Sequence, residues 1–187
     1  MSGLEWCIRS GRPADRALLA SFTCADPAVG WQVEVEQFIR TQLLDWSVDP
    51  HAVSGDPRLL LAFVTATREL FGVAAHERVI LQGGDGAQFH ATKLEVLAIA
   101  IPWQGRRFHT GERASDVLMS AVMTDVSARV PPRDVRVFAL VHEDNQRSIA
   151  LCHRHGLVEE MSRPHPDYRR IVTPHKPQAQ VRSPRVR

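Results

Sequence analysis

Three parts of the 187-residue sequence carry side chains that could do chemistry. The first is DNQRSIALCHRHGL, residues 144–157. Asp144 and Asn145 are helix N-cap types. Gly156 is a stop signal behind His153, Arg154 and His155, which suit the negative last turn of a helix. Cys152 lies two turns inside, with a weakly donating S–H and a potentially nucleophilic thiolate. His153 and His155, at i+1 and i+3, do not face it along a helix, which disfavours an acyl-cysteine route. The second part is GERAS, 111–115, just ahead of an apolar helical run. A loop feeding a helix N-terminus offers an anion unpaired N–H groups and the positive end of the dipole. Arg106, Arg107 and Arg113 add charge suited to paired contacts with phosphate oxygens. The plainer reading is a surface loop with Ser115 as an N-cap.

The third part is dispersed. Glu95 sits in the middle of KLEVLAIAI, and His142 closes VFALVH with the side chain that titrates nearest neutrality. Trp31, Glu34 and Glu36 in WQVEVEQ make an aromatic and acidic set that could meet a cationic amine. Each has a blander alternative: an exposed strand residue, a strand end, and the solvated face of an amphipathic helix.

The elements that must position these residues follow from periodicity. LEWCIR alternates as a strand, and ADRALLASF opens as a helix behind Pro13. In GWQVEVEQFIRTQLLDW, Trp31, Val35, Phe38, Ile39, Leu43 and Trp46 recur at helical spacing. The turn-rich stretch 48–57 precedes three apolar, strand-like runs, RLLLAFVTAT, ELFGVAAHERVIL and TKLEVLAIAI. ERASDVLMSAVMTDVSAR is helical, DVRVFALV is a buried strand, and LVEEMSR and YRRIVT close the chain as strands. This order predicts an α/β fold with a mixed sheet of about seven strands. Residues 174–187 are basic and Pro-rich without apolar periodicity, and read as a disordered tail.

Composition sets the outer limits. Apolar residues make up 44% and charged residues 24%, the balance of a globular domain, and the net charge of +2 gives no argument for nucleic acid. Cys7, Cys24 and Cys152 have no metal-ligand spacing, so a reducing, cytoplasmic setting and no bound metal are expected. No apolar run reaches the length of a membrane span.

NQRSIALCHRHGL resembles the closing helix of the GNAT superfamily of acyl-CoA N-acyltransferases, whose pattern there is roughly N-x-x-A-x-x-[LF]-Y-x-x-x-G-[FL]. Asn145, Leu151, Gly156 and Leu157 fall on it without a gap, and Ser148 takes the small-residue place. LAIAIPWQGRRFHTGERASDVLM is similar to the coenzyme-binding strand, loop and helix of that family, and the order of elements over residues 1–173 is similar throughout. The resemblance implies a single GNAT-like domain, with a mixed and mostly antiparallel seven-stranded sheet flanked by four helices. It implies acetyl-CoA as co-substrate and a small-molecule, peptide or RNA-linked amine as acceptor, with a homodimer among the expected assemblies.

The site residues it implies are specific. Main-chain groups of Ile99 and Ile101, with Asn145, would flank the pantetheine arm. Gln104, Arg106, Arg107, Gly111, Arg113, Ala114 and Ser115 would surround the pyrophosphate. The family signature [QR]-x-x-G-x-[GA] is met only loosely. Counted back from Leu118 and Met119 it falls on Gly111, Arg113 and Ser115; counted forward from Gln104 it falls on Gly105, Arg107 and His109. The first register puts the anion at the helix mouth and requires the loop to bulge. Glu95 and His142 are the candidate bases. Cys152 occupies the place of the family's proton-donating tyrosine, as an acid or as a small buried residue lining the acyl slot. A non-catalytic relative that binds a coenzyme, protein or nucleic acid is the alternative.

Overall fold

A computed structural model describes residues 5–46, 55–82, 86–129, 135–161 and 165–174. Most of the turn-rich stretch 48–57, and the basic tail from residue 175, lie outside the described residues. Seven strands form one sheet in the order β1-β2-β3-β4-β5-β7-β6. They are β1 Trp6–Ser10, β2 Arg58–Val64, β3 Leu70–Gln82, β4 Gln88–Ile99, β5 Val137–His142, β6 Val158–Glu159 and β7 Tyr168–Val172. Every pairing is antiparallel except β4 with β5. Helix α1 is Arg16–Ala20, entered through a 3-10 turn at Pro13–Asp15. Helix α2, Trp31–Gln37, runs through a π-helical segment at Phe38–Gln42 into α3, Leu43–Trp46, forming one rod. With α4 at Ala114–Ser127 and α5 at Gln146–Arg154, the expected four helical units flank the sheet.

The sheet is buried on both faces only in its inner half. Leu59 to Val64 of β2 and Phe71 to His76 of β3 are continuously buried, so these strands read as apolar runs. Beyond His76, β3 reverts to alternation, and its end with the start of β4 forms a projecting ribbon. Helix α4 lies against β3 through Val117, Leu118, Val122 and Val126, as its spacing predicted, while Ala121 is half-buried. The approach is close at Gly72: a Cβ there would lie 2.9 Å from Leu118 Cδ2. No helix among the described residues is long and apolar enough to cross a membrane.

Behind the sheet a charged group is buried under α4. His76 is 2% exposed, and its Nε2 lies 2.9 Å from Asp125 Oδ2. Arg129 also holds Asp125 and reaches Asp56 at 3.0 Å, and Arg58 takes the other Asp56 oxygen at 3.0 Å. Asp125 is thus already neutralised. Burial, with the nearby guanidiniums of Arg129 and Arg58, pushes His76 down to about 4. An unfolded histidine titrates near 6.5, so between these values the unfolded chain binds the extra proton. Stability is therefore full above about pH 6.5 and is lost as pH falls toward 4. Urea unfolding of the wild type should lose about 2 kcal/mol between pH 7 and pH 5 beyond any loss in His76→Gln. Parallel pH curves for the two proteins would contradict this assignment.

Candidate active site

The site begins where the one parallel pairing ends. Strands β4 and β5 pair only through Thr92–Val137, Lys93–Phe138 and Leu94–Ala139. At the next residue β4 is bulged: Ala75 pairs with Val96 and His76 with Leu94, leaving Glu95 without a partner on β3. A bulge bends and twists its strand, and here β4 leaves β5, opening a slot in the middle of the sheet. The Ala100 N–H donates to the Phe71 carbonyl at 2.9 Å. Antiparallel alternation then makes Val73–Ala98 and Ala75–Val96 the bonded pairs. The main-chain groups of Leu97 and Ile99 therefore face away from β3, toward the slot.

Two helix N-termini stand at its open end, beyond the C-terminal ends of β4 and β5. Asn145 caps α5, its Oδ1 accepting from the Ser148 N–H at 3.1 Å, so Ser148 serves as the third helical residue. Helix α4 has Arg113 as its N-cap, so Ser115 is the second helical residue and not the cap. Residues 107–113 form a small hairpin, with Phe108 donating to Glu112 at 2.9 Å and Arg107 bridging to Arg113. Phe108, 4% exposed, anchors it against Trp103 and Phe71. This is the bulge that the spacing required. The Ala114 N–H donates to the Arg106 carbonyl at 3.2 Å, leaving Ser115 with the N–H that a helix start cannot pair internally. Arg106, Arg107 and Arg113 are exposed around that mouth, and Gly111 has φ 85°, open to glycine.

Gln104 does different work from that expected of it. Its Nε2 donates to the Ile99 carbonyl at 3.0 Å and to the Cys24 carbonyl at 2.6 Å, and its Oε1 accepts from Arg147 of α5 at 3.2 Å. Ile101 opens a 3-10 turn and donates its N–H to the Thr23 carbonyl at 3.2 Å, so it is spent on the scaffold. The Phe22–Ala25 segment is held in turn by Glu36, which is 6% exposed. Glu36 accepts from the N–H groups of Cys24 and Ala25 and pairs with Arg40 at 2.8 Å. Glu36 therefore belongs to the framework. What remains toward the slot is the Ile99 N–H and both main-chain groups of Leu97, a residue no side-chain pattern singles out.

Beside the slot, one face of α2 meets the ends of three strands. Residues 31, 34, 35 and 38 share that face. Trp31 stacks on His142 of β5, with centroids 5.7 Å apart at 21°. Tyr168 of β7, the register partner of His142, meets that imidazole edge-on at 5.3 Å. Burial first, then the Glu34 and Asp167 carboxylates, raise the Tyr168 pKa. Glu34, Val35, Phe38, Glu95 and Val96 line one cleft. Trp31, Glu34, Glu95 and His142 are thus brought together. His142 Nδ1 accepts from the Asp144 N–H at 3.3 Å, so the neutral ring carries its proton on Nε2 and has no free lone pair for an incoming amine. Glu95 is held by Lys93 Nζ at 2.7 Å. Burial and the adjacent Glu95 carboxylate push Glu77 up beside it.

Compared with solved structures, the chain matches acetyltransferases over nearly its full length. The fold is that of the GNAT acyltransferases. PaiA N-acetyltransferase of Thermoplasma acidophilum, solved with coenzyme A, is 12% identical with a TM-score of 0.67, covering 91% of this chain and 99% of that one. NAA60 of Arabidopsis thaliana, solved with a bisubstrate analogue, is 16% identical with a TM-score of 0.58, covering 90% and 96%. AtaT, solved with acetyl-methionyl-tRNAfMet, is 14% identical with a TM-score of 0.60, covering 89% and 94%. No protein-family model matches the sequence, and no curated protein matches it. At these identities the likeness carries the GNAT fold.

Cys152 departs most from a proton donor's placement. It is 3% exposed within the core, and burial pushes its thiol up to about 11. A thiolate at neutral pH is correspondingly rare. The structure favours the small buried residue over an acid or nucleophile. Alkylation by iodoacetamide at pH 8, followed residue by residue by mass spectrometry, should be roughly 100-fold slower at Cys152 than in the urea-unfolded chain. Equal rates would place the thiol in solvent.

Proposed function

We propose that this chain is an N-acyltransferase, moving an acetyl or related acyl group from its CoA thioester to a primary amine by direct attack on the thioester carbonyl. The observation that carries this reading is the slot opened between β4 and β5 after Leu94–Ala139, with unpaired main chain along one wall. An extended pantetheine arm carries amide groups that can pair with Leu97 and Ile99 as a strand would, with Asn145 facing it from the α5 side. The mouth of α4 suits a pyrophosphate by charge, through Arg106, Arg107, Arg113 and the Ser115 N–H. It departs from a glycine-lined cradle, since Arg113 and Ser115 carry side chains. No metal is needed in this scheme.

The acceptor enters over α2. Its ammonium group meets Trp31 and the carboxylates of Glu34 and Glu95. A lysine-type amine is neutral at pH 7 at a cost of roughly 4–5 kcal/mol, and Glu95 takes that first proton. Holding the amine against the thioester contributes more of the rate than the base does. The acceptor is a small molecule, a peptide or an RNA-linked amino acid. The three cysteines are unpaired, in keeping with work in the cytoplasm. The side chains in the pyrophosphate loop favour one second reading, a non-catalytic GNAT-fold protein that binds a coenzyme, a protein or nucleic acid.

Calorimetric titration of acetyl-CoA into the protein should give micromolar binding, weakened at least tenfold in an Arg113→Glu, Ser115→Glu double variant (about 1.4 kcal/mol). Absence of binding by the intact protein would overturn the transferase reading and leave the non-catalytic one.

A further inference from the structure

The sequence holds 23 lysine and arginine residues, and only two of them, Lys93 and Lys176, are lysines. Lys176 belongs to the basic tail, so Lys93 is the sole lysine among the described residues. The difference is chemical. A guanidinium keeps its charge and is no nucleophile, whereas an ammonium that loses a proton becomes a primary amine. Lys93 thus belongs to the acceptor class proposed above.

Its position is that of an acceptor. Lys93 Nζ lies 2.7 Å from Glu95 Oε1, and Glu95 lines the cleft under α2 with Glu34, Val35 and Phe38. Lys93 is in register with Glu77 of β3 and Phe138 of β5, one step before the β4–β5 pairing ends at Leu94–Ala139. Glu95 is the bulged residue at which the slot opens. A coenzyme whose pyrophosphate is held at the α4 mouth enters from the open end, passing Ile99 first and Leu97 next. Its thioester, at the far end of the arm, then points to the closed end, where Glu95 and the Lys93 ammonium stand. The Lys93 side chain is 32% exposed on a flexible four-carbon stem, so the amine is free to turn from Glu95 toward a bound thioester.

We propose that Lys93 is a self-acylation site, taking an acyl group in cis from bound acyl-CoA when no free amine occupies the cleft. This inference rests on the transferase reading. The Lys93 ammonium gives one proton to Glu95 before attack and loses a second as the C–N bond forms. The C–S bond breaks with its electron pair on sulfur, which takes up one proton to leave as the free thiol; the other proton passes to solvent. The product carries a neutral amide at position 93. Glu95 loses its cationic partner, and the charge of the acceptor cleft changes with it.

The test incubates the full-length protein with acetyl-CoA and no added amine, followed by intact-mass and peptide mass spectrometry. Lys93 should gain one acetyl group at least about 100-fold faster than Lys176 in the same chain, because only Lys93 is held beside the thioester. The first-order rate should not change when the protein is diluted about tenfold, as a step in cis requires. Any member of a panel of alkylamines and lysine peptides that the enzyme acylates should suppress the reaction. At subsaturating acetyl-CoA the Arg113→Glu, Ser115→Glu variant should be slowed about tenfold, in line with its weaker binding. Lys93→Arg keeps a cation beside Glu95 and should take no acetyl group at that position. Transfer to an added amine, with Lys93 modified no faster than Lys176, would overturn self-acylation alone and leave Lys93 a counter-ion for Glu95. A rate that rises with protein concentration would overturn the step in cis. Equal modification in the double variant would show spontaneous chemistry and overturn the proposal likewise. Binding of acetyl-CoA with transfer neither to Lys93 nor to any amine would overturn the transferase reading, and self-acylation with it.

Discussion

The structure depends on one interruption of hydrogen bonding, the end of the β4–β5 ladder at Leu94–Ala139. A parallel pair that continued would satisfy every main-chain group and leave no room between the strands. The extra residue at Glu95 prevents this, since β4 stays paired with β3 on both sides of the bulge, its register shifted by one residue, while turning away from β5. Leu97 and Ile99 are half-buried, and their slot-facing main-chain groups can take a ligand that pairs as a strand. The protein fills part of the opening itself: Gln104 takes the Ile99 carbonyl and ties it to the Cys24 carbonyl and Arg147.

The same bulge couples the slot to the α2 side of the sheet. Glu95 is the bulged residue, and it emerges in the cleft under α2 beside Glu34. Helix α2 carries Trp31 and Glu34 one turn apart; Trp31 stacks on His142 at the end of β5, and His142 meets Tyr168 of β7 edge-on. Glu36, two residues beyond Glu34, points to the other side and holds the loop against which the end of β4 is braced. Neighbouring acids on one helix therefore serve scaffold and site separately.

Much of this was legible in the sequence, for identifiable reasons. Strong apolar periodicity gave the seven strands and four helical units, and local capping chemistry gave Asn145 and the α5 boundaries. The helical spacing of Trp31 and Glu34, and the strand-end place of His142, marked residues that the fold brings near one another. What was hidden depends on partners distant in sequence. LEVL alternates as an ordinary strand, so nothing in it marks the bulge. Leu97 acts through its main chain, which no residue type advertises. Tyr168 joins His142 only through the β5–β7 register, and Gln104 looked like a phosphate ligand because its three partners lie on other elements. The burial of Cys152 follows from how α5 packs, although its replacement of tyrosine was visible at once.

The most direct measurement of the central claim is amide hydrogen exchange at Leu97 and Ile99, resolved by NMR, with and without acetyl-CoA. If the pantetheine arm pairs along this wall of the slot, both amides exchange markedly more slowly in the complex, while those of Ala98 and Val96, already bonded to β3, change little. Saturating acetyl-CoA with no added protection at Leu97 and Ile99 would contradict the account.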